Sequence, residues 1–389
     1  MGYEVTATRK RPKTLDGLVG QEFVVATLKN SMQEGRIAHA YLFSGPRGVG
    51  KTSAARIVAR ALNCPGGPNP DGCADDPDGD AITRGMALDV IEIDGASNTS
   101  VNDVREIKDE VLFPPNNSRY KIYIIDEVHM LSMSAFNALL KTIEEPPPYI
   151  VFLFATTELH KVPATIKSRC QQFHFRLIPM ERIREKLVEA AAELGIRADA
   201  DALMWVAKEG RGSLRDAYTL FDQVAAFSDG HITLDKIKRT LGLVGLDRLN
   251  CLAEALADEK LARVLEISEE IMAGGVSVEQ FVTDLSEFFR NLLFLRAGVR
   301  RESVIGYPVS EFSSLAIETW SEHQLMHAVD ELMEAYRRLR YTLNEQFELE
   351  LLLGKLCRLK SFIDPGQLLN RIHDLRNEVE QGVYVREAG

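Results

Sequence analysis

Residues 45–52 read Gly-Pro-Arg-Gly-Val-Gly-Lys-Thr, the G-x-x-x-x-G-K-[ST] spacing of a phosphate-binding loop. The chemistry asks for these residue types. Gly45, Gly48 and Gly50 let backbone N–H groups turn inward around phosphate oxygens, the Lys51 ammonium reaches the outer phosphates, and the Thr52 hydroxyl ligates Mg²⁺. Pro46, Arg47 and Val49 complete the loop and Ser53 follows it. Further along, residues 122–127 read IYIIDE, an apolar run ending in two carboxylates. In a nucleoside triphosphatase, a carboxylate at a strand end serves the metal and its neighbour orients and deprotonates the attacking water. Asp126 is therefore expected in the metal shell and Glu127 as the base. Taken alone, two acids after a strand also start a loop or cap a helix. With the phosphate loop upstream, the nucleotide reading prevails and ATP hydrolysis is the expected activity.

Those groups must be held by a strand before the loop and a helix after it. Residues 41–44 read as a buried strand and 52–62 as a helix whose N-terminal dipole favours anions. Apolar runs at 41–44, 89–94, 121–125, 150–155 and 172–176 alternate with helix-length segments, which predicts a parallel sheet with helices on both faces. From Pro179 the period changes. Ile183, Leu187, Val188, Ala191 and Leu194 recur at helical spacing up to Gly195. Leu203, Val206 and Ala207 follow up to Gly210, then Leu214, Ala217, Leu220, Phe221 and Val224 up to Gly230. This predicts a three-helix unit closed by a fourth segment opening at Thr233. Beyond Gly242 the pattern is helical, with long amphipathic stretches at 280–296 and 322–362. The expected domains are an α/β nucleotide-binding domain at 1–178, a helical lid at 179–242 and an all-helical domain at 243–389.

Composition narrows the class further. The 389 residues are 45% hydrophobic, with a formal net charge of −11, which argues against a chain that coats nucleic acid by itself. No run of 18 apolar residues and no apolar leader is present, so a cytoplasmic protein without a membrane span is expected. The five scattered cysteines suit free thiols in a reducing compartment. G-x-S-x-G, H-E-x-x-H and G-x-G-x-x-G are all missing, so hydrolase elbows, zincins and dinucleotide folds have no local signature. His323 and His327, four apart on a helix, lack a third metal ligand in view and read as ordinary surface residues.

The blocks GPRGVGKTSAARIVARALNC, DVIEIDGAS, YIIDEVHMLS, SAFNALLKTIEEPP, FATTE and SRCQQFHF resemble the gamma/tau subunits of the bacterial DNA polymerase III clamp loader, a family of AAA+ ATPases. The resemblance runs from Tyr3 to Ala217 at least; after Gly242 it holds in length and character rather than in motif. It implies roles residue by residue. Thr156 and Thr157 fall at the sensor that contacts the γ-phosphate or the attacking water. Arg169 falls at the arginine finger, which reaches a neighbouring subunit's ATP, and Arg215 at the second sensor, on the lid. Both arginines suit a transition state whose charge spreads over equatorial oxygens.

One departure stands out. The family carries a four-cysteine zinc module whose first two ligands would be Cys64 and Cys73, yet Asp76 and Gly79 occupy the remaining places. Two thiolates do not make a structural zinc site, so none is expected, and 71–80 reads as an acidic loop. ATP with Mg²⁺ is the one cofactor expected. The resemblance further implies a hetero-oligomeric ring with other clamp-loader subunits, a helical collar, a sliding clamp and primer–template DNA as partners, and membership of the polymerase holoenzyme. It leaves open a longer form that adds regions for the polymerase core and the helicase. A branch-migration helicase would carry a C-terminal winged helix, which the long helices after Gly242 do not resemble. A non-hydrolysing scaffold subunit would not need intact Lys51, Thr52, Asp126 and Glu127.

Overall fold

The computed structural model describes residues 4–70, 82, 87–97, 110–363 and 365–380. Contacts divide the chain into two compact units, Met1–Thr233 and Leu234–Gly389. The helix Leu234–Thr240, read from the sequence as closing the lid, groups with the second unit.

The first unit is built on five parallel strands, β1 (Ala40–Ser44), β2 (Val90–Asp94), β3 (Lys121–Asp126), β4 (Ile150–Thr156) and β5 (Gln171–His174), in the order β2-β3-β4-β1-β5. Every residue of β1 and β4 is buried. That is why these segments read as unbroken apolar runs: a parallel sheet is covered on both faces. One face packs Leu28, Ile57, Val58 and Leu62; the other packs Phe136, Leu139 and Ile143. Tyr123, Phe152 and Phe154 stack in sequence across β3 and β4 with centroids 5.6 and 5.7 Å apart. The register aligns Ser44 with Thr156 and Asp94 with Asp126, so the C-terminal strand ends lie level. In open α/β sheets that edge is where ligands bind.

The last strand stops earlier than its apolar run suggests, at His174 rather than 176. A side chain takes over the backbone there. The buried Gln21 amide donates to the Arg176 carbonyl (2.8 Å) and its oxygen accepts the Arg176 N–H (3.1 Å).

The lid helices Met180–Leu194, Ala200–Glu209 and Leu214–Phe227 follow. Gly195 ends the first in the left-handed region, and the Ser213 hydroxyl caps the third by accepting the Asp216 N–H. Arg197–Ala198 and His231–Ile232 form a short parallel pair that the sequence pattern does not show. The N-terminal turn Thr6–Arg9 is tied to the lid. Buried Asp222 accepts the Thr6 N–H at 2.7 Å and also the Thr6 hydroxyl, and Lys10 pairs with Glu193.

The second unit is helical around its own core, with Val278–Arg296 and Glu322–Leu339 packed side by side over Phe281, Phe288, Phe289, Trp320 and Leu332. The amphipathic stretch at 322–362 is not one helix. It divides into Glu322–Leu339, Glu345–Cys357 and a short turn Leu359–Ser361. Asn344 makes the restart, its side-chain oxygen accepting the N–H groups of Gln346 (3.0 Å) and Phe347 (3.3 Å). His327 stacks on Phe362 at 3.8 Å. Among the described residues no group of three or more metal-ligating side chains forms, and no helix is long and apolar enough to cross a membrane.

Candidate nucleotide site

The phosphate loop leaves β1 at Gly45, whose N–H donates to the Thr156 carbonyl at 3.3 Å. Gly45, Gly48 and Gly50 have φ of 142°, 73° and 103°, backbone that side chains rarely adopt. At Gly48 space also decides. A Cβ there would meet Ser213 Oγ at 1.8 Å and Arg215 Cβ at 3.3 Å, because the first turn of the lid helix sits against the loop, with Arg215 N–H donating to the Gly48 carbonyl at 3.4 Å.

Gly50 precedes the helix Lys51–Leu62. Lys51 is 6% exposed, and its ammonium donates to the carbonyls of Gly45 (2.8 Å) and Pro46 (2.6 Å). Burial pulls its pKa down, while the Glu127 and Asp126 carboxylates oppose that. A buried ammonium satisfied by loop carbonyls is a cation placed where an anion belongs. Thr52 Oγ1 donates to Asp126 Oδ2 at 2.7 Å, so two hard oxygen donors converge from the helix and from β3. That pairing fits Mg²⁺, which takes few protein oxygens and keeps waters. Pro46 and Ser53 are half-buried, Val49 is buried and Arg47 is exposed.

Asp126 Oδ1 accepts the Glu127 N–H at 2.9 Å. Glu127 itself has φ 44°, ψ 46°, a left-handed conformation that costs a non-glycine residue roughly 1–2 kcal/mol. Gly95 lies against it; a Cβ there would be 2.7 Å from the Glu127 carbonyl. The strained backbone sends the carboxylate to the end of β4, where Glu127 Oε2 accepts the N–H (3.1 Å) and hydroxyl (2.9 Å) of Thr157. Thr156 is fully buried. Its hydroxyl oxygen accepts the Glu158 N–H at 3.0 Å and lies 3.0 Å from His129 Nδ1. The two threonines thus come to the site, and both hydroxyls already have protein partners.

Arg169 stands apart. Its guanidinium donates to the Thr165 carbonyl (2.7 Å) and pairs with Glu144 (2.7 Å); none of its described partners belongs to the phosphate loop. Sequence reasoning missed His129, which sits inside the DEVHMLS block without a motif role, and the basic residues near the helix Lys51–Leu62. Arg11, Lys13, Arg56 and Arg60 line a shallow pocket with Ser53. Arg56 pairs with Glu92 through two 2.7 Å bonds, and burial, then Arg56, lowers the Arg11 pKa.

Cys73, Asp76 and Gly79, the residues weighed for zinc, lie outside the described residues. Buried Cys64 is disulfide-bonded, whereas Cys170, Cys251 and Cys357 are free. The expectation of free thiols does not hold at Cys64.

The sheet order, the loop running from β1 into a helix, the paired acids ending β3 and the helical lid define an AAA+ ATPase with its lid. Three family models match in succession: "DNA polymerase III, delta subunit" over residues 20–179, "DNA polymerase III clamp loader subunit, ATPase lid domain" over 182–230, and "DNA polymerase III subunits gamma and tau domain III" over 232–372. The chain belongs to the gamma/tau family of DNA polymerase III clamp-loader subunits. It is 36% identical to DNA polymerase III subunit tau of Bacillus subtilis over 98% of its length and 69% of the relative's. It is 44% identical to subunit tau of Escherichia coli over 73% of its length, spanning 44% of that relative. With DNA polymerase III subunit gamma of Buchnera aphidicola it shares 38% identity over 75% of its length and 81% of the relative's.

Proposed function

We propose that this site binds ATP with Mg²⁺ and hydrolyses it to drive the opening of a sliding clamp and its release, closed, on primed DNA. The observation that carries the reading is the convergence of Thr52 Oγ1 and Asp126 Oδ2 at 2.7 Å beside a buried Lys51 and a tethered Glu127. Lys51 exchanges its loop carbonyls for β- and γ-phosphate oxygens, and the loop N–H groups close around them. Thr52 and Asp126 would hold Mg²⁺, which when bound would supply charge neutralisation to the phosphates. Glu127 orients a water and takes its proton. Arg215, on the first turn of a lid that rests on Gly48, reports the γ-phosphate to the lid.

The remaining roles follow from the family. Arg169 acts on the ATP of a neighbouring subunit, which makes turnover depend on assembly in a ring with other clamp-loader subunits. The lid is the helical part of the first unit after Pro179, and the helical second unit from Leu234 is the collar that joins the ring. The site has the parts for phosphoanhydride hydrolysis; nucleotidyl transfer belongs to another subunit of the holoenzyme. The place of action is the cytoplasm.

The test is ATP turnover by the full chain alone, then with partner subunits, clamp and primed DNA. Stimulation at each addition, greatest with primed DNA, is the expected result. Equal turnover by the isolated chain and the full assembly would overturn the loading role while leaving nucleotide binding in place.

A further inference from the structure

His129 lies on the turn Val128–Met130, immediately after the two acids, with its side chain 7% exposed. Its Nδ1 is 3.0 Å from Thr156 Oγ1 and 3.4 Å from Glu127 Oε2. One nitrogen therefore stands between the hydroxyl that ends β4 and the carboxylate that follows β3. The nearby carboxylate favours the proton on Nδ1. Thr156 Oγ1 already accepts the Glu158 N–H and keeps a second lone pair toward the ring, so a single Nδ1–H faces the hydroxyl at 3.0 Å and, at longer range, the carboxylate at 3.4 Å.

The arrangement treats the two oxygens of Glu127 differently. Oε2 accepts the Thr157 N–H and hydroxyl and has the His129 ring nitrogen 3.4 Å away, whereas Oε1 has no hydrogen-bond partner among the described residues. A carboxylate held by one oxygen keeps the other for a water. Thr157 alone can hold Oε2 but leaves the carboxyl free to turn about that pivot. The His129 ring, from a second element, approaches the same oxygen and narrows the range of that turn.

We propose that His129 is a positioning residue for ATP hydrolysis. It ties the Glu127 carboxylate to Thr156 at the end of β4, so that the base is aimed with Oε1 toward water and follows any displacement of that strand end when nucleotide or DNA is engaged. This rests on the reading of Glu127 as the base. His129 touches neither nucleotide nor metal ligand in this role; it acts through Glu127.

Two crossed substitutions separate hydrogen bonding from packing. His129→Phe keeps a buried ring and removes both nitrogens. His129→Asn loses the ring and keeps an N–H donor near the Nδ1 position. In the full assembly with clamp and primed DNA, His129→Phe is expected to lower kcat about tenfold or more, with the Kd for ATP and the KM within twofold of the parent. His129→Asn is expected to stay within about threefold in kcat despite the lost ring. If Phe retains turnover better than Asn, or if both lose ATP affinity in step with turnover, His129 is a packing residue and the inference fails.

A double substitution distinguishes this failure from that of the base assignment. Adding His129→Phe to Glu127→Gln is expected to cost nothing further, since both act on one group. Normal turnover by Glu127→Gln alone would remove the base; a large loss there with none from His129→Phe would remove only the positioning role.

Discussion

Two substitutions at neighbouring positions in space are expected to fail in different ways. Lys51 carries the positive charge inside the loop and is nearly inaccessible, so Lys51→Ala removes a buried cation that the phosphates would meet. ATP binding is expected to fall by more than a hundredfold, on the order of 3 kcal/mol for a buried charged partner, with the folded structure retained. Titration with a fluorescent ATP analogue and a circular dichroism melt check both parts. Glu127→Gln keeps size and shape but cannot take a proton. The amide carbonyl it introduces can still accept the Thr157 N–H and hydroxyl that Oε2 accepts here, so ATP and clamp are expected to bind normally while stimulated turnover falls by roughly 10²–10⁴, the worth of general base catalysis. Presteady-state phosphate release measures it; an unchanged rate would take Glu127 out of that role.

Among the elements, the restart at Asn344 offers a clean measurement. Its side chain satisfies two N–H groups at the start of Glu345–Cys357, far in sequence from the nucleotide machinery. Asn344→Ala should destabilise the second unit by about 1 kcal/mol, visible as an earlier melting transition with ATP binding by the first unit unchanged. Loss of ATP binding in this variant would mean that the second unit's cap bears on the nucleotide site. The same restart shows what the sequence discloses and what it withholds. Asn344 is a cap signal that periodicity across 322–362 overrides, since Leu325, Leu332, Leu339 and Leu353 keep a seven-residue repeat across the break. The strands β1, β3 and β4 were legible because burial on both faces demands apolar runs, and the loop and acids because their chemistry fixes their spacing. The end of β5 was not legible. It depends on Gln21, a residue at the start of another helix, reaching Arg176. The same holds for His129 and Thr156, whose contact exists only once β3 and β4 lie side by side. The two arginines divide along the same line: Arg215 is brought to the loop by lid packing, while Arg169 has no described partner there.

For the molecule as a whole, that separation of Arg169 carries the prediction. Arg169→Ala is expected to keep the subunit's own ATP affinity and its place in the assembly, yet lose clamp- and DNA-stimulated hydrolysis by on the order of 10³-fold. Its bonds to Thr165 and Glu144 are exposed or half-exposed, so their loss costs little stability. Mixing Arg169→Ala chains with Glu127→Gln chains should recover activity only at interfaces where intact residues face each other. If Arg169→Ala instead weakens ATP binding in the isolated chain and spares assembled turnover, the ring mechanism loses its support.

Thr6 on Asp222 and Lys10 on Glu193 make the chain's first turn a passenger of the lid, whereas Leu15 is fully buried in the core beneath the sheet. Residues 11–14 are the slack between these two anchorages. Fully drawn out, four residues span about 14 Å at most. The lid is therefore on a leash, and its travel on gaining or losing nucleotide is bounded by four residues outside the phosphate loop. A dye at Glu4 would ride with the lid and report that travel without touching the nucleotide.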